Sequence, residues 1–336
     1  MSVPAWLLPS KRSGTLLAAA TVIAVIGTAA WLVIDEVRTH RLQAARLAGI
    51  ARELRFEVGA GPSDAIRFPE AGPYDERLGY RQLPEFVERL ERQGFRVSAQ
   101  ARMTPGMIDL LDRGLFAIYR EKGQAGLELR ECRGEPTFVA RFPQRVYARF
   151  ESVPSLLVDA LLFVEDRDLL DTQQPARNPA IEWDRLAKAV VDQVWRMADG
   201  AHPAHGGSTL ATQIEKYRHS PDGRTESATE KLRQMASASL RAYLDGEDTL
   251  ARRREIVTDY LNTVPLAARP GFGEVNGIAD GLWAWYGRDF TEINRLLRDG
   301  DDEAPMAEAA LRERATAFKQ ALSLMIAQRR PSWYLF

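Results

Sequence analysis

The longest uniform stretch of the chain is residues 15–34, an apolar run with no charged side chain. A run of that length spans a bilayer as a helix. Lys11 and Arg12 precede it, and Asp35 and Glu36 follow. The charge asymmetry predicts a cytoplasmic N-terminus, with everything after Ile34 on the outer side. A cleaved signal peptide would carry a shorter apolar core, so the pattern favours a retained anchor. No second run of this kind follows, and a single pass is predicted.

After the anchor the periods shorten. Leu42, Ala45, Leu47 and Ile50 are spaced as one side of a helix over 38–55. Residues 59–79 are rich in Gly and Pro and predict a linker. Phe86, Val87 and Leu90 mark a helix over 83–94, and residues 94–100 alternate like a strand. A short helix is predicted over 104–115. Two paired strands follow at 127–130 and 136–142, joined by a turn at Gly134. These elements predict a small α+β membrane-proximal region.

From Val153 the pattern is helical throughout. The predicted helices cover 155–166, 181–197, a segment opening after Gly206-Gly207, 227–245, 249–262, 278–286 and 306–326. Residues 218–225, 267–277 and 300–305 are predicted loops. In the helix opened by Ser227, the stripe Leu232, Met235, Ala236, Ser239 and Leu240 is predicted to pack inward. The expected organisation is residues 1–36 as cytoplasmic tip and anchor, 37–138 as the membrane-proximal region, and 139–336 as a mainly helical domain.

Composition narrows the chemistry. The formal net charge is -1, so no basic field points to nucleic acid. Cys132 is the single cysteine, which excludes an intramolecular disulfide. His40, His202, His205 and His219 are too scattered for a zinc site.

Two stretches carry candidate chemistry. Gly206-Gly207-Ser208-Thr209 opens a helix bearing Gln213 and Lys216. Free N–H groups and the helix dipole favour an anion at such a turn, although an ordinary N-cap uses the same residue types. Val164-Glu165-Asp166-Arg167 ends an apolar helix with two carboxylates and a guanidinium, a costly set to bury without partners.

Taken in order, four stretches resemble the peptidoglycan glycosyltransferases of family 51, found in bifunctional penicillin-binding proteins and in monofunctional transglycosylases. Val164-Glu165-Asp166-Arg167 resembles the first motif and Gly206 to Lys216 the second. Glu230-Lys231-Leu232-Arg233-Gln234 stands where the third, Arg-Lys-x-x-Glu, is expected. The fourth motif, Lys-x-x-Ile-Leu-x-x-Tyr-Leu-Asn, is resembled by Arg253 to Asn262, and Trp285-Tyr286-Gly287-Arg288 resembles a downstream Tyr-Phe-Gly-Lys element. There are departures. Leu169, Leu170 and Asp171 replace the aromatic pair and histidine of the first motif, and Ala211 and Thr212 replace Thr and Gln. Glu230 stands for Arg, Gln234 for the second functional Glu, and Arg253 for Lys.

The resemblance implies a lysozyme-like helical domain that polymerises lipid II at the membrane, in a bacterial cytoplasmic membrane and beside other cell-wall synthesis proteins. It implies Glu165 as general base, with Gln234 at the second catalytic position. Asp166, Arg167, Gly207, Ser208, Thr209, Gln213, Lys216, Lys231, Arg233 and Asn262 are the implied substrate-binding residues. The leaving pyrophosphate is met by these cations with or without a divalent ion, Mg²⁺ or Mn²⁺. Glu226 or Glu230 is an alternative second carboxylate, although Glu230 also fits a helix capping box with Ser227. Two other functions stay open. One is a catalytically weakened scaffold that binds lipid II or glycan strands. The other is a lysozyme-like lytic enzyme, which would need a second, well-separated carboxylate.

Overall fold

In the computed structural model the described residues are 11–183, 185, 188, 192, 195, 208–298, 307–328 and 331–335. The predicted loop 300–305, the glycine pair Gly206-Gly207, His202, His205 and most of the predicted helix 181–197 lie outside them. The fold is mainly α.

Helix α1 (Lys11–Thr39) contains the apolar run. Among the described residues it is the one helix long and apolar enough to cross a membrane. The predicted helix over 38–55 is instead a separate α2 (Arg41–Ala51), because His40 takes left-handed backbone angles (φ 55°) between the two. Glu36 spans this break. Its carboxylate accepts from the backbone N–H groups of Leu42 (2.8 Å) and Gln43 (3.0 Å). An acidic group on the free N–H groups of a helix start is stabilising.

The membrane-proximal segment contains α3 (Pro73–Arg77), α4 (Leu83–Arg92), α5 (Pro105–Asp112) and two antiparallel ribbons. The first ribbon pairs β1 (Phe56–Ala60) with β2 (Ala99–Met103). This corrects two expectations: β1 begins ahead of the predicted linker, and β2 lies later than the predicted 94–100. Gly94 turns with φ 88° and ends α4, leaving Phe95 to Ser98 outside the ribbon. The second ribbon pairs β3 (Ala125–Arg130) with β4 (Pro136–Phe142), the predicted strand pair with its first strand begun two residues earlier.

The helical body consists of α6 (Ser155–Glu165), α7 (Leu210–His219), α8 (Ala228–Ala242), α9 (Leu250–Thr263), α10 (Ile278–Tyr286), α11 (Phe290–Leu297), α12 (Glu308–Ala327) and α13 (Pro331–Tyr334). Its core gathers Leu157 and Leu161 of α6, Leu210, Ile214 and Tyr217 of α7, Val257, Tyr260 and Leu261 of α9, Leu282 of α10, and Leu324 of α12. Burial of apolar surface at about 25 cal/mol per Å² is the main force assembling them. The predicted loop 267–277 is in fact a third ribbon, β5 (Pro265–Arg269) with β6 (Gly273–Asn276). Helix α11, absent from the pattern reading, starts at Asp289, whose carboxylate caps Thr291 and Glu292.

Helix α8 departs most from its predicted face. Leu232 is 65% exposed. The buried side runs through Gln234, Ser237, Ala238 and Arg241 instead. The first three turns of α8 thus bury polar groups, which is tolerable only because each finds partners. Its last turns meet the membrane-proximal segment. Leu240 joins Leu54, Met103, Met107, Leu110 and Ile118, while Ala242 and Tyr243 pack with Ala44 and Ala48 of α2. The Asn178 amide ties these pieces, donating to the Gln43 side chain and to Ser239 Oγ, both at 3.0 Å.

A buried ionic cluster joins the same parts. Glu121 accepts from Arg218 (2.6 Å) and His219 Nε2 (2.5 Å) and forms an ion pair with Arg241 at 3.2 Å. His219 Nδ1 meets Asp75 of α3 at 2.8 Å. Gly72, with φ 108°, lets α3 approach α7 this closely. A Cβ there would sit 2.8 Å from the Arg218 carbonyl oxygen.

Candidate active site

Helix α6 is apolar along most of its length and delivers Glu165 at its last turn. Glu165 is buried. A buried carboxylate needs donors, and Gln213 supplies one: its Nε2 donates to Glu165 Oε2 at 2.9 Å. The Gln213 amide is oriented from its other end. Its oxygen accepts from Gln328 Nε2 (3.1 Å) and from the Tyr260 hydroxyl (3.5 Å). Three helices thus fix one amide against one carboxylate.

Two lysines complete the group. On α7, Lys216 sits near Glu165. Burial pulls its pKa down and the Glu165 carboxylate opposes that pull. On α8, Lys231 donates from Nζ to Ser208 Oγ at 2.6 Å. Burial, reinforced by the charge of Lys216, lowers Lys231 to about 8. Two ammonium groups kept close at this cost are suited to an anion of more than one charge. Thr209 has a different task. It is buried, its Oγ1 accepts from Thr212 N–H, and Thr212 Oγ1 accepts from Thr209 N–H. This closes the N-cap of α7.

A family model described as Transglycosylase matches residues 135–334. The chain belongs to the transglycosylase family. No curated protein matches it significantly. The matched segment includes Glu165, Ser208, Gln213, Lys216 and Lys231.

Other residues of the transglycosylase motifs lie elsewhere. Asp166 is buried, and its Oδ1 accepts from Arg177 (3.3 Å) and from the Asp168 N–H (3.1 Å). Arg167 is exposed and lies over the Phe163 ring at 4.2 Å. Arg233 turns away from Lys231 and lies over Phe116, 4.3 Å from the ring centroid. Asn262 clamps Tyr147, exchanging two 2.8 Å bonds with its backbone.

Gln234 is fully buried, and its amide is spent on Ser220 and Thr225. Nε2 donates to both hydroxyls at 3.0 and 2.9 Å, and Oε1 accepts from Thr225 at 3.1 Å. None of these bonds reaches the Glu165 group. Glu230 accepts from Ser220, and its backbone N–H is capped by Ser227 Oγ at 3.0 Å. Replacement of Gln234 by Glu removes both Nε2 donors and buries a charge. The expected outcome is a loss of about 1–3 kcal/mol in stability with no gain in rate. Thermal melting and a turnover assay check it, and a faster enzyme of unchanged stability would return position 234 to the chemistry.

The pattern reading missed the arginines around the first motif. Arg253 is fully buried and donates to the carbonyls of Leu169 (2.7 Å), Asp171 (3.1 Å) and Gln174 (2.8 Å). It braces the loop that follows Glu165. Arg177 bonds the Asp168 carbonyl at 2.5 Å, and Arg185 bonds the carbonyl of Glu165 itself. Position in the fourth motif is the one sequence signal that singles out Arg253. For Arg177 and Arg185 there is none. A cavity of about 600 Å³ is lined by Arg120, Tyr147, Arg149, Arg254 and Asn262 among others, and by none of Glu165, Lys216 and Lys231.

Proposed function

We propose that this transglycosylase is a peptidoglycan glycosyltransferase that polymerises lipid II, releasing lipid pyrophosphate. The observation that carries the reading is the buried Glu165 carboxylate held by Gln213 beside Lys216 and Lys231. In the reaction the 4-hydroxyl of one sugar attacks the anomeric carbon of another. Glu165 takes the hydroxyl proton as general base, which requires hydrogen-bond reach of that proton. Negative charge develops on the departing pyrophosphate, where preorganised cations are most effective. Lys216 and Lys231 meet it, with Ser208 fixing Lys231.

Anchoring suits a substrate confined to the bilayer, because it raises the effective concentration of the encounter. A membrane helix and a transglycosylase domain fit a single-pass membrane protein. The positive residues before the apolar run put the N-terminus in the cytoplasm and the catalytic group outside, in the bacterial inner membrane. Phe163 and Leu232 are exposed at 67% and 65%. They stand two residues from Glu165 and one from Lys231, where a lipid-borne substrate arrives.

Purified full-length protein mixed with labelled lipid II separates the readings. Polymer is the expected result. Bound, unreacted lipid would favour the weakened scaffold, the reading supported by the inward-facing Gln234. Cleaved murein without any lipid effect would favour a lytic enzyme. The pH profile gives a second check. Lys231 loses its charge as pH rises through about 8, so kcat/KM should fall on the alkaline side with a limb near that value. In Lys231→Arg, which stays charged, the limb should move to higher pH. An unchanged limb would take Lys231 out of the reacting group.

A further inference from the structure

Behind Glu165 lie two carboxyl groups that face one another. Asp166 Oδ2 and Glu182 Oε1 are both buried, and as carboxylates neither meets a donor. The other oxygens are taken. Asp166 Oδ1 accepts from Arg177 and from the Asp168 N–H, and Glu182 Oε2 pairs with Arg185 Nε at 2.7 Å. A proton between them satisfies both acceptors and relieves the repulsion of two carboxylates in one low-dielectric site. Burial first, and then the Asp166 carboxylate, push Glu182 up to about 7, and the two side chains hydrogen-bond. The charged groups acting on Glu182 are Asp166 from the end of α6, Arg177 from the following loop, and Arg185 one turn onward. Arg185 is the link to chemistry, since it holds Glu182 by its side chain and also donates to the main-chain carbonyl of Glu165.

We propose that Glu182 is a positioning residue: as a neutral acid it donates its proton to Asp166, and through Arg185 it fixes the backbone that carries Glu165. When Glu182 ionises, two buried carboxylates repel, and Arg185 is drawn toward the added charge and away from the Glu165 carbonyl. The inference rests on the reading of Glu165 as the base for its effect on rate. The shared proton stands on the geometry alone.

The test therefore has two readouts. Trp183 adjoins Glu182, so full-length protein labelled with 5-fluorotryptophan in detergent micelles reports the proton by fluorine NMR, with Trp183→Phe assigning the signal. The wild type should show a titration near neutrality that is absent in Glu182→Gln. The rate readout is lipid II polymerisation. Glu182→Gln keeps a donor toward Asp166 and should retain activity within about threefold, with a flatter profile between pH 6 and 8. Glu182→Ala should lose at least tenfold in kcat with little change in KM, because binding groups stay in place. A wild type without the titration, or one whose titration persists in Glu182→Gln, overturns the shared proton. Equal rates and pH profiles in all three proteins overturn the positioning role. A clear titration in a wild type that makes no polymer would instead count against the glycosyltransferase reading.

Discussion

Glu165→Gln is expected to lower lipid II polymerisation by about 10²–10⁴-fold, the usual contribution of a general base. The amide matches the carboxylate in size, and its oxygen still accepts from Gln213 Nε2. Helix α6 keeps its core contacts through Leu157 and Leu161. What the amide lacks is the ability to take the proton of the attacking hydroxyl. Because that transfer belongs to the transition state, kcat and kcat/KM should fall together. Melting temperature should stay within a degree or two of wild type. Chain length and amount of product from labelled lipid II provide the measurement. Product formation at the wild-type rate would remove Glu165 from the mechanism.

Glu121→Ala is expected to cost about 3–5 kcal/mol of stability, the range for breaking a buried ion pair from one side. Three cations, Arg218, His219 and Arg241, converge on this carboxylate. Without it the three cations crowd in the interior with Glu215, Asp75 and Asp259 left to balance them. Burial opposes ionisation of Glu121, but Arg241, His219 and Arg218 overcome that and hold it well below the usual carboxylate range. Burial also works against a charged His219, yet Glu121 and Asp75 raise it to about 9. The signs follow from linkage. The raised His219 contributes fully below its ordinary 6.5, and that contribution fades as pH climbs toward about 9. The depressed Glu121 contributes above its ordinary 4.5 and is lost on acidification through its lowered value. Urea unfolding of the full-length chain in detergent should therefore show this cluster strongest between about pH 4.5 and 6.5. A Glu121→Ala protein within 1 kcal/mol of wild type would refute the account.

Local signals made part of this fold legible. Apolar runs and caps mark α1, α6, α7 and α9, and the last three supply Leu, Ile, Val and Tyr to the core. The strands β1, β5 and β6 escaped because they are four or five residues long and carry Gly, Ala or Pro where a strand is marked by β-branched and aromatic alternation. In the third ribbon Ala267 even takes φ 64°, a left-handed angle that a non-glycine residue does not advertise. Helix α8 misled because its buried side carries Gln234 and Arg241, and a periodicity count scores those as outward. The site divided in the same way. Glu165, Gln213, Lys216 and Lys231 stand in ordered motifs. Arg177, Glu182 and Arg185 act on carbonyls and carboxyls outside their own turn of chain, so in sequence they read as ordinary surface charges.

The junction at His40 has a consequence for altitude. Glu36, at the end of the membrane helix, clasps the start of α2. Gln43 of α2 meets Asn178, the neighbour of the Arg177 that holds Asp166 beside Glu165. In parallel, α2 abuts Ala242, eleven residues along α8 from Lys231, or about 16 Å at 1.5 Å per residue. Both groups are tied back to the membrane helix through α2, the lysine along α8 and the carboxylate through the hydrogen-bonded loop that carries Arg177 and Asn178. On the proposed function this would hold the reaction plane at a set height above the lipid headgroups, with a growing strand leaving along the membrane surface at one level and each new lipid-borne unit arriving from below.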